Sequence, residues 1–268
     1  MNITWDRLIQ ATLQHTGATP DVLAALCTQL APRLAPGNAP AQALWSGLFA
    51  APSHKWRIRL VQALNASQLP ETVTEPQWRG LLAQPPFLLS DGDHDDLFFD
   101  AMQLAAARIN SVEWPPGSER GADIEPLLCA SGTSPGSHWC MAFVYWAVQR
   151  AAALREIENP LKATGSCVKQ LAHARKQATI PTSMLGFVEK AAAKANPTLV
   201  PPGSIFIQDH GDGSGHTGFV VSIDAHGRLD TVEGNTNPFG LPRVGLGVYR
   251  CTHRTLTDPA LAGFVVLR

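Results

Sequence analysis

The chain has 268 residues, with 21 Lys and Arg against 22 Asp and Glu for a formal net charge of −1, and 45% of its residues are apolar against 16% charged. That length and apolar content can bury one large core or two smaller ones without disulfides or metals, which excludes a disordered polyelectrolyte. The near-neutral balance excludes a broad basic surface for nucleic acid, because phosphate neutralisation needs clustered Lys and Arg. No apolar run approaches the roughly 18 residues of a bilayer span. The first residues, Met1-Asn2-Ile3-Thr4-Trp5-Asp6-Arg7, lack the basic and then apolar order of a secretory signal, so a product made in the cytoplasm without a signal peptide is expected.

The charge is unevenly spread. Residues 1–125 carry 8 Lys and Arg against 13 Asp and Glu, a net of −5, and residues 126–268 carry 13 against 9, a net of +4. Between the halves lie Trp114-Pro115-Pro116-Gly117-Ser118 and Ser131-Gly132-Thr133-Ser134-Pro135-Gly136-Ser137. Pro and Gly at that density predict loop and a change of role, with a helical N-terminal domain of unknown role over 1–110 and a second domain over 125–268.

In the first half, Asp21 caps a predicted helix over 22–30, with Val22, Leu23, Leu26 and Leu30 as its apolar stripe and Pro32, Pro36 and Pro40 breaking it. Further helices are expected over 41–49, 55–64 and 97–109, the last alanine-rich and opened by Asp95-Asp96, where the helix dipole favours acids. In the second half, residues 139–154 form the strongest helical pattern, with no Pro or Gly inside it, and 168–176 and 183–194 read as two more helices. After Pro201-Pro202-Gly203 the pattern turns to short Val-, Ile- and Phe-rich strands over 204–208, 217–223, 229–233, 245–250 and 263–267. Ala225-His226-Gly227-Arg228 reads as a hairpin turn. Helices followed by an antiparallel meander is an α+β order, because βαβ crossovers would interleave them.

Five cysteines, Cys27, Cys129, Cys140, Cys167 and Cys251, are an odd number with no C-x-x-C and no ligand-like spacing. A disulfide framework and a structural zinc site are unsupported, and at least one thiol stays free. Cys140 stands one residue into a predicted helix after a Gly/Ser/Pro loop. Unpaired backbone donors and the dipole there favour its thiolate and face a tetrahedral oxyanion, whereas a packed, inert thiol is the plain alternative. His216 opens a strand after a glycine-rich loop, a rigid place for a general base. Glu233 closes the next strand, so a hairpin brings it to His216, where a carboxylate fixes the imidazole tautomer. Asn235 either bonds the same group or steadies the loop.

Four stretches carrying these residues resemble one known family. His138-Trp139-Cys140-Met141-Ala142-Phe143-Val144-Tyr145-Trp146 is similar to the helix-opening cysteine motif of the CHAP domains, papain-like amidases and endopeptidases that cut peptidoglycan peptides. Pro202-Gly203-Ser204-Ile205-Phe206-Ile207 resembles their first strand, Gly215-His216-Thr217-Gly218-Phe219-Val220-Val221 their histidine strand, and Val232-Glu233-Gly234-Asn235-Thr236 their acid and asparagine motif. The stretches run in the family's order over about 125–268. The resemblance implies a papain-like (NlpC/P60-like) domain, its helices packed on an antiparallel sheet. It implies Cys140 as nucleophile, His216 as base, Glu233 as orienting acid and Asn235 as a supporting polar residue. Two departures stand out: Ser204 where the first strand usually has Asp, and Trp139 where some relatives carry a Gln able to donate to the oxyanion. That leaves the Cys140 backbone N–H as the assigned donor.

Weaker patterns remain. Asp91, Asp93, Asp95, Asp96 and Asp100 begin like a calcium loop, but Asp96 replaces the glycine and Met102 the closing Glu. His210, Asp212 and His216 lack a further metal ligand, and the seven tryptophans read mostly as core. The resulting expectation is a cofactor-free cysteine peptidase or amidase acting on the peptide part of bacterial peptidoglycan through an acyl-enzyme. It would act in the periplasm or cell wall after non-classical export, as a phage endolysin or as a secretion-system effector with an inhibitory immunity protein. An amidase acting on a small peptide conjugate and a non-catalytic wall-binding protein are the alternatives.

Overall fold

The computed structural model describes residues 2–16, 19–49, 56–85, 87, 96–241 and 244–268, with side chains 13–16 left aside. The first half is mainly helical. It comprises β1 (Asn2–Thr4), α1 (Trp5–Thr16), α2 (Pro20–Leu34), α3 (Ala39–Ser46), α4 (Trp56–Ser67), β2 (Thr72–Thr74), α5 (Glu75–Leu82) and α6 (Leu97–Ala106). There follow α7 (Glu125–Ala130), α8 (Cys140–Leu154), α9 (Cys167–Ala178), β3 (Leu185–Glu189) and α10 (Lys190–Ala195). The chain ends in β4 (Ile205–Asp209), β5 (Gly215–Ile223), β6 (Arg228–Thr236), β7 (Gly247–Thr255) and β8 (Leu261–Leu267). No helix among the described residues is long and apolar enough to cross a membrane.

Strands β3 to β8 form one antiparallel sheet in the order β3-β8-β4-β5-β6-β7. The expected α+β order is therefore seen, and the turn between β5 and β6 falls where the sequence places it. Asp224 closes that turn: its carboxylate accepts from the backbone N–H groups of His226 (2.8 Å) and Arg228 (2.9 Å). The resulting register sets Gly218 opposite Glu233 and Ile223 opposite Leu229.

Three local expectations are corrected. Residues 183–194 are not one helix: Leu185–Glu189 is the edge strand β3, paired with β8 from Leu185–Leu267 to Glu189–Gly263, and only Lys190–Ala195 is helical. Leu-Gly-Phe-Val is a weak helical run, and pairing it covers the otherwise open edge of apolar β8, so tertiary pairing outweighs local pattern. Pro32 does not break α2, which begins at Pro20 and continues to Leu34. It lies inside the helix two residues before its end, and Thr19 rather than Asp21 precedes the helix as its cap. Strand β7 runs to Thr255, five residues beyond its expected end.

Of the three hydrophobic cores among the described residues, two bear on the position of the site. One contains Phe98, Phe99 and Met102 of α6, Phe143, Val144 and Val148 of α8, and Phe219, Val232 and Val265 of the sheet. The other joins Trp5, Leu23, Trp45 and Trp78 of the N-terminal helices to Val112, Leu246 and Tyr249 on and beside β7. Segment 110–113 is stitched to that edge as well. Asn110 N–H donates to the Val248 carbonyl (3.0 Å), Val248 N–H to that of Ser111 (2.9 Å) and Glu113 N–H to that of Leu246 (3.0 Å).

Helix α8 reaches the sheet because Gly234 has no side chain: a Cβ there would lie 2.7 Å from the Phe143 ring. Phe98, 2% exposed, sits under α8 in this core. Phe98→Ala should cost about 3–5 kcal/mol, the usual range for a buried aromatic cut to alanine, read as a lower midpoint in urea unfolding followed by near-UV circular dichroism.

Candidate functional site

Cys140 is the first residue of α8, so its own N–H and that of Met141 have no partner within the helix, and the Met141 N–H faces the thiol. Cys140, 5% exposed, has its Sγ 3.6 Å from Cys167 Sγ and 3.9 Å from the Gly215 carbonyl, and it borders the same cleft as His216. The Cys140 pKa lies well below the usual thiol value. The hydrogen bond from Cys167 is the largest cause, opposed by burial and supported by His216 and the Met141 N–H. Burial pulls the pKa of His216 down, but contact with Cys140 and with Glu233 outweighs it and the net shift is upward. Thiolate and imidazolium are thus favoured together, the protonation pattern of an activated thiol.

His216 Nε2 lies 2.7 Å from Glu233 Oε2, which leaves Nδ1 for the thiol. Glu233 is fully buried yet well satisfied. Oε1 accepts from Arg254 Nε (2.9 Å) and from the Thr231 hydroxyl (2.6 Å), and Oε2 accepts from Arg254 Nη2 (2.8 Å) as well as facing His216. Burial alone would raise the pKa of Glu233, but the adjacent Arg254 charge and the bonds from His216 and Arg254 hold it well below the carboxylate range. Gly218, opposite Glu233 in the register, makes room for it, since a Cβ there would lie 2.8 Å from Glu233 Cγ.

Asn235, with φ +54°, donates its amide to Glu119 Oε2 at 2.9 Å, which places it on the cleft wall rather than on the His216 ring. Glu119 Oε1 meets His138 Nδ1 at 2.8 Å, and that hydrogen bond raises the pKa of His138 despite partial burial. Behind them Glu113, fully buried, accepts from the Trp139 indole N–H (2.8 Å) and the Glu119 backbone N–H (3.1 Å). Burial and the Glu119 charge push its pKa well up. Trp139 is thereby turned into the core and cannot stand in for a donating Gln. Ser204, the other departure, is buried with its hydroxyl on the Pro201 carbonyl at 2.6 Å, a purely structural bond.

These side chains border a cleft of about 510 Å³ that includes Glu119, His138, Cys140, His216, Asn235 and Arg254. His210 and Asp212 stand on its rim, tied to Ser214 at 3.1 and 2.9 Å, and no group of His, Cys, Asp and Glu among the described residues is arranged to hold a metal. Asp91, Asp93 and Asp95 of the acidic cluster lie outside the described residues. Asp96 caps α6 by accepting from Phe99 N–H (2.8 Å), and Asp100 pairs with Arg155 (2.6 Å).

The structure places Cys140, His216 and Glu233 close together, and beside them stand Arg254, Thr231, Cys167, Glu113 and Glu119, which the sequence reading did not single out for the site. Nothing local marks the loop residue Glu119.

A thiol, an imidazole and a buried carboxylate in this order of contact make the constellation of a cysteine hydrolase. Residues 132–235 match the family model described as CHAP domain, a family of cysteine-dependent amidases and peptidases acting on peptide bonds of peptidoglycan. Neither a curated protein nor a solved structure matches the chain.

Because Glu233 has a depressed pKa, its contribution to stability is full above the unfolded value of about 4.3 and fades as pH falls through the folded value. Removing its cation should expose this. Arg254→Met should destabilise the fold at neutral pH by about 3–5 kcal/mol, the cost of leaving a buried charge unpaired. The deficit against wild type should shrink as pH falls into the carboxylate range, read by thermal unfolding across pH 7 to 3.

Proposed function

We propose that the chain hydrolyses an amide bond in the stem peptide of bacterial peptidoglycan, with Cys140 as nucleophile, His216 as general base and acid, and Glu233 as the residue that orients His216. The observation that carries this reading is that Cys140 and His216 border one cleft, with His216 Nε2 held 2.7 Å from the buried Glu233 carboxylate. The Cys140 thiolate attacks the carbonyl carbon, and the backbone N–H at the start of α8 stabilises the oxyanion. His216 gives its proton to the leaving amine as the acyl-enzyme forms, then takes one from the water that releases the acid. None of these steps requires a cofactor. Asn235 and Glu119 serve as a polar wall that holds the loop after β6.

We assign the catalytic unit to residues 125–268, a papain-like domain of the NlpC/P60 type, and residues 1–110 to a helical unit seated against it. The α6–α8 packing and the shared core at β7 support treating the two as one mechanical piece. A wall substrate places the action in the periplasm or cell wall, after release through a holin or delivery by a secretion system. In the second use an inhibitory immunity protein would protect the producing cell.

Digestion of purified peptidoglycan tests the reading. Cys140→Ala should abolish release of new amino termini or carboxylates, and limiting iodoacetamide at neutral pH should label Cys140 ahead of the other four cysteines. Activity retained by Cys140→Ala would sink the assignment. Glu233→Gln keeps the size but loses the charge that fixes the tautomer. It should lower the acylation rate by roughly 10²-fold or more, a smaller loss than the larger known effect of turning a triad carboxylate into its amide.

A further inference from the structure

We propose that Cys140 and Cys167 form a site of reversible covalent modification, in which a hydroperoxide oxidises Cys140 and Cys167 captures it as a disulfide. The proposal rests on Cys140 being the reactive thiol of the site. Its first support is geometric. The two sulfurs are 3.6 Å apart with side chains 5% and 4% exposed, each on the first residue of a helix, Cys140 on α8 and Cys167 on α9. A disulfide needs about 2.05 Å, so the sulfurs must close by roughly 1.5 Å.

The second support is their opposite protonation. Cys140 is held toward thiolate, while Cys167 is kept protonated by its hydrogen bond to Cys140 and by burial. An oxidant acts on thiolates, and a neighbouring thiol resolves the product, so the pair is divided into the two roles such chemistry needs. The other buried thiols lack this division: burial pushes Cys27 up to about 12 and Cys251 well above the ordinary value. Access is the third support. Among the described residues, Cys140 is the cysteine that lines the cleft, so a small peroxide entering it meets Cys140 before Cys167.

The steps balance. The Cys140 thiolate attacks one peroxide oxygen, the O–O bond breaks, and the leaving hydroxide takes the His216 proton to become water. That leaves Cys140 as a sulfenic acid. Cys167 sulfur then attacks the Cys140 sulfur, the S–O bond breaks, and the Cys167 proton leaves with the hydroxyl as a second water. Overall two thiols lose two electrons and two protons to one peroxide. The disulfide removes the nucleophile while sparing it from irreversible oxidation to the sulfinic acid, and a dithiol restores both thiols.

The test treats the full chain with a few equivalents of hydrogen peroxide at neutral pH, followed by intact-mass measurement and peptide mapping. Wild type should lose about 2 Da, yield a Cys140–Cys167 cross-linked peptide and return to its starting mass and activity with dithiothreitol. Cys167→Ala, and Cys167→Ser as a variant of closer size, should instead gain about 32 Da on Cys140 and recover less than roughly a tenth of their own starting activity. Cys140→Ala should show no loss of mass. The proposal is overturned if wild type gains oxygen as the Cys167 variants do, or if the cross-link forms between other cysteines. The mass readout needs no substrate, so a cross-link in a protein without wall activity would refute the hydrolase reading and leave the pair standing.

Discussion

The structure turns on one buried charge. Glu233 has no solvent exposure, and an unpaired carboxylate in that position would cost several kcal/mol. Four donors converge on it: two from Arg254, one from Thr231 and one from His216. Three strands must be in register for this to happen, since His216 comes from β5, Thr231 and Glu233 from β6, and Arg254 from β7. The sheet order and the catalytic geometry are therefore one constraint. A slip of one residue between β6 and β7 would turn Arg254 to the other face and strand the carboxylate.

A second buried network ties the chain before the CHAP match to the cleft. Glu113, clamped between the Trp139 indole and the Glu119 backbone, lies in the segment that pairs with the β7 edge. Glu119 then reaches His138 and Asn235 on opposite sides of the cleft. The Pro/Gly-rich stretch is thus part of the wall, and burial together with the Glu119 charge pushes the Glu113 pKa well up while Glu119 bonds His138 and Asn235. The same logic separates the thiols at the cleft: neighbouring titratable groups take different protonation states because each makes the other's charge more or less costly.

Much of this molecule was legible from its residues alone. Helix and strand periods gave the α+β order, the Ala-His-Gly-Arg turn gave the β5–β6 hairpin, and the hairpin implied that Glu233 would meet His216. The helix start at Cys140 implied an activated thiol, because backbone donors at a helix terminus are a property of the local chain. These features depend on short-range pattern, which the sequence carries directly.

Tertiary structure decided the rest. Residues 185–189 became a strand because β8 supplied a partner edge, which no local propensity encodes. Arg254, Glu119 and Cys167 entered the site from 21, 114 and 49 residues away from Glu233, Glu233 and His216 respectively, separations at which only packing specifies contact. Asn235, which the sequence left either bonding the imidazole or steadying the loop, has φ +54° and donates to Glu119. Side-chain chemistry by itself determined which groups could act. Which of them touch was decided by burial, because a charge or a thiol removed from water takes whatever partner the fold brings within reach.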